Sequence, residues 1–104
     1  MTDWLEAETD WVGRRVLVGL TFLHPDESFD RQEQMFGRIV SMDRSNGVEV
    51  ALEGQRVGET FWLPPDLRPF SEAAPGEYRL RSTGETVVDP DLLATWTITA
   101  PART

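Results

Sequence analysis

The chain predicts an all-β domain: a small antiparallel β-barrel with one or two short helical turns and extra C-terminal strands. Three observations carry this. Val48, Val50 and Leu52 alternate with Glu49 and Glu53, a period of two that sends one face to a core and the other to water. Asn46-Gly47 stands just before them, and both residues take positive φ cheaply, so the chain turns there into a hairpin. Pro64-Pro65 ends the next strand, Glu59 to Leu63, because neither residue can donate a ladder hydrogen bond.

The remaining elements follow in order. Thr2 or Asp3 can cap a short helix over residues 2–10, with Trp4 and Trp11 as the side chains that dock it. Two turns alone in water are marginal, so this segment must pack on the rest. Val12 to Leu23 is the strongest strand signal: Val16, Val18, Leu20 and Phe22 share one face, and Leu17 and Leu23 the other. Apolar residues on both faces predict cover on the outer side, by the N-terminal segment or the C-terminal tail. Gly19 is a candidate bend or bulge. His24 to Glu33 reads as a long polar loop, and Met35 to Met42 as the second strand with Gly37 as a bulge. Pro65 to Arg68 fits a single 3₁₀ turn stopped by Pro69. Strands at Glu77 to Arg81 and Glu85 to Val88 flank the turn Ser82-Thr83-Gly84. Asp89-Pro90-Asp91 has the chemistry of a helix start, with Asp89 as N-cap, and Thr95 to Thr99 is β-rich again.

Length and composition bound the rest. One domain of 104 residues buries enough surface for a core without staples. It divides into an N-terminal segment (1–10), a barrel core (11–70) and an extension packed on it (71–104). There is no Cys, which removes disulfides and thiolate chemistry. No apolar run approaches a membrane span, and the acidic start MTDWLEAETD is unlike a signal peptide, so a cytoplasmic location is expected. Net charge is −8, all ten basic residues being Arg. That field disfavours nucleic acid and anionic membrane, whose binding needs clustered cations, and attracts basic partners.

The order of elements from Val12 to Phe70 resembles the Src-homology-3-like barrel. It has a long first strand, a polar loop, two hairpins, and a strand ending in Pro. The stretch GETFWLPPDL, Gly58 to Leu67, is similar to the close of that fold. Sm-like, Tudor-like and PRC-type barrels share the same order. VGLTFL stands where the peptide-binding members carry Ala-Leu-Tyr-Asp-Tyr, and MFGRIV where they carry paired Trp. The resemblance therefore implies a fold, and no aromatic peptide shelf is carried over with it.

Candidate functional residues fall in two places. Trp62 lies between Phe61 and Leu63, so if those face the core it points outward, either as a partner hot spot or under the cover of the Pro-rich turn or C-terminal extension. Asp26, Glu27, Asp30 and Glu33 make one loop acidic, with Phe29 as an apolar tip, a pattern suited to a basic partner. DESFDRQE lacks the ligand spacing and central Gly of a calcium loop. His24 has no second His or Cys beside it, so no metal site is expected. Asp89 is explained by capping and Asp91 as a first-turn acid favoured by the helix dipole, and no nucleophile elbow or phosphate-cradling Gly-rich loop occurs. No cofactor or catalytic residue is expected. The reading is a non-enzymatic protein-binding or regulatory module, one form being an immunity-type protein that masks a basic enzyme. The alternative is a small-molecule binder or enzyme using a pocket between the barrel and residues 71–104. An open sheet edge would also allow a homodimer.

Overall fold

The computed structural model describes residues 4–101. A helix, α1 (Trp4–Trp11), precedes eight strands: β1 (Arg15–Leu23), β2 (Phe29–Asp43), β3 (Gly47–Leu52), β4 (Thr60–Leu63), β5 (Phe70–Glu72), β6 (Glu77–Arg79), β7 (Thr86–Val88) and β8 (Leu92–Thr99). Six strands form one sheet in the order β4-β3-β2-β1-β8-β5, and β6-β7 form a separate hairpin. The protein is thus mostly β, as its patterning predicts. The cap expected at Thr2 or Asp3 lies outside the described residues.

β2 is the spine. Its first half, Phe29 to Arg38, pairs with β1, and its second half, Gly37 to Asp43, pairs with β3. Residues paired through both ladders fall in one buried cluster, so the sheet must curl about the overlap of the ladders at Gly37 and Arg38. Gly37 sits in both, opposite Val16 and Leu52, and a Cβ there would stand 2.2 Å from the carbonyl oxygen of Ala51. No side chain fits that approach. Gly47 is needed at the hairpin, with φ +106° and no room for a Cβ beside the carbonyl of Leu63.

The bend folds Val16, Val18, Leu20 and Met35 over Ile39, Val48, Val50, Leu52 and Leu63, all buried. Trp4, Ala7 and Trp11 of α1 pack on this core, and Phe70, Leu92 and Ala94 extend it. Trp11 stacks on Phe70 at 5.0 Å between ring centroids, and Trp96 meets Phe70 edge-on at 5.6 Å. The outer side of β1 is covered as its two-faced pattern predicts. Leu80 and Val87 around the β6-β7 hairpin bury Leu17, with Phe36, Tyr78 and Leu93 packed around them.

The structure departs from the sequence reading at several points. The sheet curls without closing: β4 and β5 stand at its two ends and are not paired. The expected loop His24 to Glu33 is a tight connection, His24 to Ser28, because Phe29 to Glu33 extend β2 to 15 residues. Phe29 to Gln32 are exposed and Asp30 to Glu33 all polar, so no apolar alternation marks the strand for a periodicity argument. The ladder runs evenly through Gly19, and the irregularities lie at Phe22/Leu23 and Ile39/Ser41 instead. The 3₁₀ turn is at Gly54–Arg56; Pro65 and Leu67 are bends, and Arg68-Pro69 form a turn in which the Phe70 amide donates to the Leu67 carbonyl at 3.1 Å. No helix starts at Asp89, whose φ is +48°. Its carboxylate accepts from the amide of Gly76, that of Asp91 accepts from the amide of Arg15, and Leu92 enters β8 directly. Pairing on both sides of Leu92 to Ala94 outweighs the local capping chemistry.

β8 lies parallel to β1, Val16 opposite Leu92 through Leu23 opposite Thr99. β5 pairs only with Leu92 to Ala94. Beyond that level β2, β1 and β8 continue alone as a three-stranded end.

Candidate functional site

The two groups of predicted residues are not brought together. Trp62 lies on β4 opposite Glu49, whose carboxylate accepts from the Ser41 hydroxyl at 2.7 Å. Asp26, Glu27, Phe29 and Asp30 lie at the other end of β2. The twelve positions from Phe29 to Ser41 amount to about 40 Å of strand before the bend at Gly37 is counted. Trp62 is 46% exposed, so neither the Pro-rich turn nor the extension covers it.

The hairpin tip is built by its own short contacts. The amide of His24 donates to the carbonyl of Ser28, and the amide of Glu27 to the carbonyl of His24, both at 2.8 Å. Glu27 takes φ +71° to complete the turn. Asp26 accepts from the hydroxyl and the amide of Ser28, and these bonds hold its carboxyl below the usual carboxylate range. Asp26 is thus a turn-former that also carries charge. Asp30 pairs with Arg31 at 3.0 Å and stands 4.0 Å from His24, and Arg31 also reaches Glu33 at 3.2 Å. The Arg31 guanidinium lies 4.0 Å over the Phe22 ring. The cation at this end is thus engaged by two carboxylates and a ring.

Apolar side chains at this end lie on both faces. On the core side Phe22 stands opposite Ile98 on β8, and Leu20 opposite Trp96. On the other side Leu23 stands opposite both Phe29 and Thr99, beside Thr21, Thr97 and Thr95. Phe29 is 64% exposed and Ile98 42%. An aromatic row thus runs from Trp11 through Phe70 to Trp96, and the sheet continues to Phe22 beneath Arg31. At this end the sequence marked Phe29 alone as a contact residue, Trp11 being read only as the side chain that docks the N-terminal helix. Trp96 and Ile98 were legible only as members of the strand TWTIT, since their exposure depends on how far β5 extends.

The junction between the sheet and the extension holds a cleft of about 450 Å³ lined by Arg14, Glu72, Ala73, Asp89, Pro90 and Asp91. Its two aspartates are already bonded to backbone amides. A second cleft, about 300 Å³, places Glu6 and Asp10 of α1 beside Trp11, Phe70, Glu72 and Leu92. Among the described residues no group of three or more His, Cys, Asp or Glu could hold a metal ion, and no helix is long and apolar enough to cross a membrane. No protein-family model matches the chain, and neither does any curated protein or solved structure.

Proposed function

We propose that the protein is a non-enzymatic binding module that acts in the cytoplasm on a basic protein partner. The observation that carries this is the three-stranded end of the sheet. It combines an acidic tip, whose carboxylates outnumber its one engaged Arg, with an exposed apolar side chain on each face, Phe29 on one and Ile98 on the other. Aromatic and aliphatic anchors ringed by charge are the usual composition of a protein-recognition patch. A net charge of −8 adds long-range attraction for a cationic partner. The kinship to Src-homology-3-like barrels belongs to the same proposal. The meander β1 to β4, bent at Gly37, supports it.

The test is affinity capture from the native source, with mass spectrometry and a salt titration. The bait is wild type beside a tip variant, Asp26→Asn, Glu27→Gln and Asp30→Asn together. A basic partner retained at low salt, released as the screening length falls to about 3 Å near 1 M, and weakened by the variant fits the proposal. A partner indifferent to salt and to the tip, or no specific partner, overturns it. A second variant, Phe29→Ser, tests the apolar anchor separately from the charge.

A further inference from the structure

We propose that the open edge of β8, Thr95 to Thr99, binds an extended, basically flanked segment of the partner by strand addition. This rests on the protein-binding reading above and assigns it a site.

The direction of the backbone groups follows from the ladders. The amide of Ala100 donates to the carbonyl of Leu23, and that of Ala73 to the carbonyl of Asp91. Backbone groups alternate along a strand, so Ala94, Trp96 and Ile98 are engaged with β1, while Leu93 turns to Ser71 of β5. Thr95, Thr97 and Thr99 therefore present their amides and carbonyls on the side away from β1. β5 begins at Phe70, level with Ala94, and none of these three threonines has a backbone partner on that side among the described residues. The free row spans about 13 Å.

Sheet edges are ordinarily blunted by charge, proline, a bulge or shortness. The other end of this sheet is: β4 is four residues long and runs into Pro64-Pro65. Thr95 to Thr99 has no such device within it, Pro101 standing two residues beyond the row. It is uncharged, free of proline and made of β-branched residues and Trp. An added strand would set alternate side chains against Trp96 and Ile98 on the core side, and the others against the threonines.

Charge selects the occupant. Above the row stands the acidic tip with Asp26, Glu27 and Asp30, and below it the cleft that gathers Glu6, Asp10 and Glu72 beside Phe70. A segment with a β-branched centre and Lys or Arg at both ends matches this arrangement. A second copy does not. In the twofold register centred on Thr97 its acidic tip would stand against this chain's acidic cleft, and two chains of charge −8 repel.

The probe is the peptide Lys-Arg-Thr-Val-Thr-Val-Thr-Arg-Lys, titrated into ¹⁵N-labelled full-length protein. The expected result is a shift and slowed exchange of the amides of Thr95, Thr97 and Thr99. The amides of Trp96 and Ile98, engaged with β1, stay protected throughout. Thr97→Pro removes only an outward donor and should weaken binding about tenfold with the melting temperature retained. Methylating the three Thr nitrogens of the peptide should do the same without altering the protein. The analogue with Glu at all four flanking positions should bind at least about tenfold more weakly. Shifts confined to residues 24–30 would overturn strand addition while leaving the basic-partner reading intact. Tighter binding of the Glu-flanked analogue would overturn both. No binding of either peptide, or a dimer abolished by Thr97→Pro, would overturn the assignment of this occupant.

Discussion

Replacing Gly37 by Ala adds one methyl group at the bend of β2 and tests how the sheet curls. The new Cβ would lie 2.2 Å from the Ala51 oxygen, 2.8 Å from the Leu52 Cα and 2.9 Å from the Ala51 carbonyl carbon. All three neighbours are backbone in a paired strand, so relief requires β3 to move by about 1 Å or more, to restore ordinary carbon contacts of 3.5–4 Å. Overpacking of this kind costs about 1–3 kcal/mol, and an immobile neighbour argues for the upper end. Reduced freedom of the unfolded chain returns only about 0.4–1 kcal/mol. A net loss of about 2 kcal/mol corresponds to a fall of about 8–16 °C in melting temperature for a domain this size. Urea denaturation followed by Trp fluorescence, with thermal melts by circular dichroism, measures it. Gly19→Ala is the paired control: its Cβ meets only Thr95 Cγ2 at 3.6 Å, so a neutral or stabilising change of about 0.5–1 kcal/mol is expected. If Gly37→Ala melts within about 2 °C of wild type, or if both substitutions cost the same, close approach at Gly37 is not what bends the sheet.

Leu80→Ala should cost about 2–5 kcal/mol, because its fully buried side chain joins the β6-β7 hairpin to Leu17. Limited proteolysis should then cut first within residues 74–89, and an unchanged cleavage pattern would show that the hairpin does not depend on this contact. Hydrogen bonds from the Arg68 side chain and amide hold the Asp66 carboxyl at about 2 against 3.8 ordinarily. A folded-state value below the unfolded one stabilises above the ordinary value and is lost as pH falls toward 2. A ¹³C titration should find the depressed midpoint, and Arg68→Ala should return it toward 3.8. Glu53→Gln removes the partner that raises Arg15, bonded at 2.9 Å, and should cost less than about 1 kcal/mol in urea melts, with a smaller loss at high salt.

Much of the fold was legible where one residue type has one use. Asn46-Gly47, the alternation of Val48 to Leu52 and the stop at Pro64 each act locally, and each stands where the pattern put it. The two apolar faces of β1 called for outer cover, and the β6-β7 hairpin supplies it. What was not legible depends on partners distant in sequence. Asp30 to Glu33 are strand only because β1 holds them, and Asp89-Pro90-Asp91 start no helix because Leu92 and Leu93 are claimed by β1 and β5. The candidate site shares this character. Phe29 and the carboxylates were readable as a tip, whereas the exposure of Thr95 to Thr99 is decided by where β5 begins.

The parallel pairing of β1 with β8 also bears on how the chain acquires its structure. Partners in that ladder are 76 positions apart, as Val16 and Leu92 show. Closing a loop of that length costs about 4 kcal/mol of chain entropy before any contact rewards it. During synthesis β1 emerges with only β2 to pair with, and the side of it meant for β8 stays bare until the segment 76 residues further on is made. The meander β1 to β4 can assemble first, and folding finishes when β8 enters between β1 and β5. A chain ending before Leu92 would keep the turns and most of the core, yet leave β1 as a long apolar edge inviting aggregation. The final strand thus shields the first one.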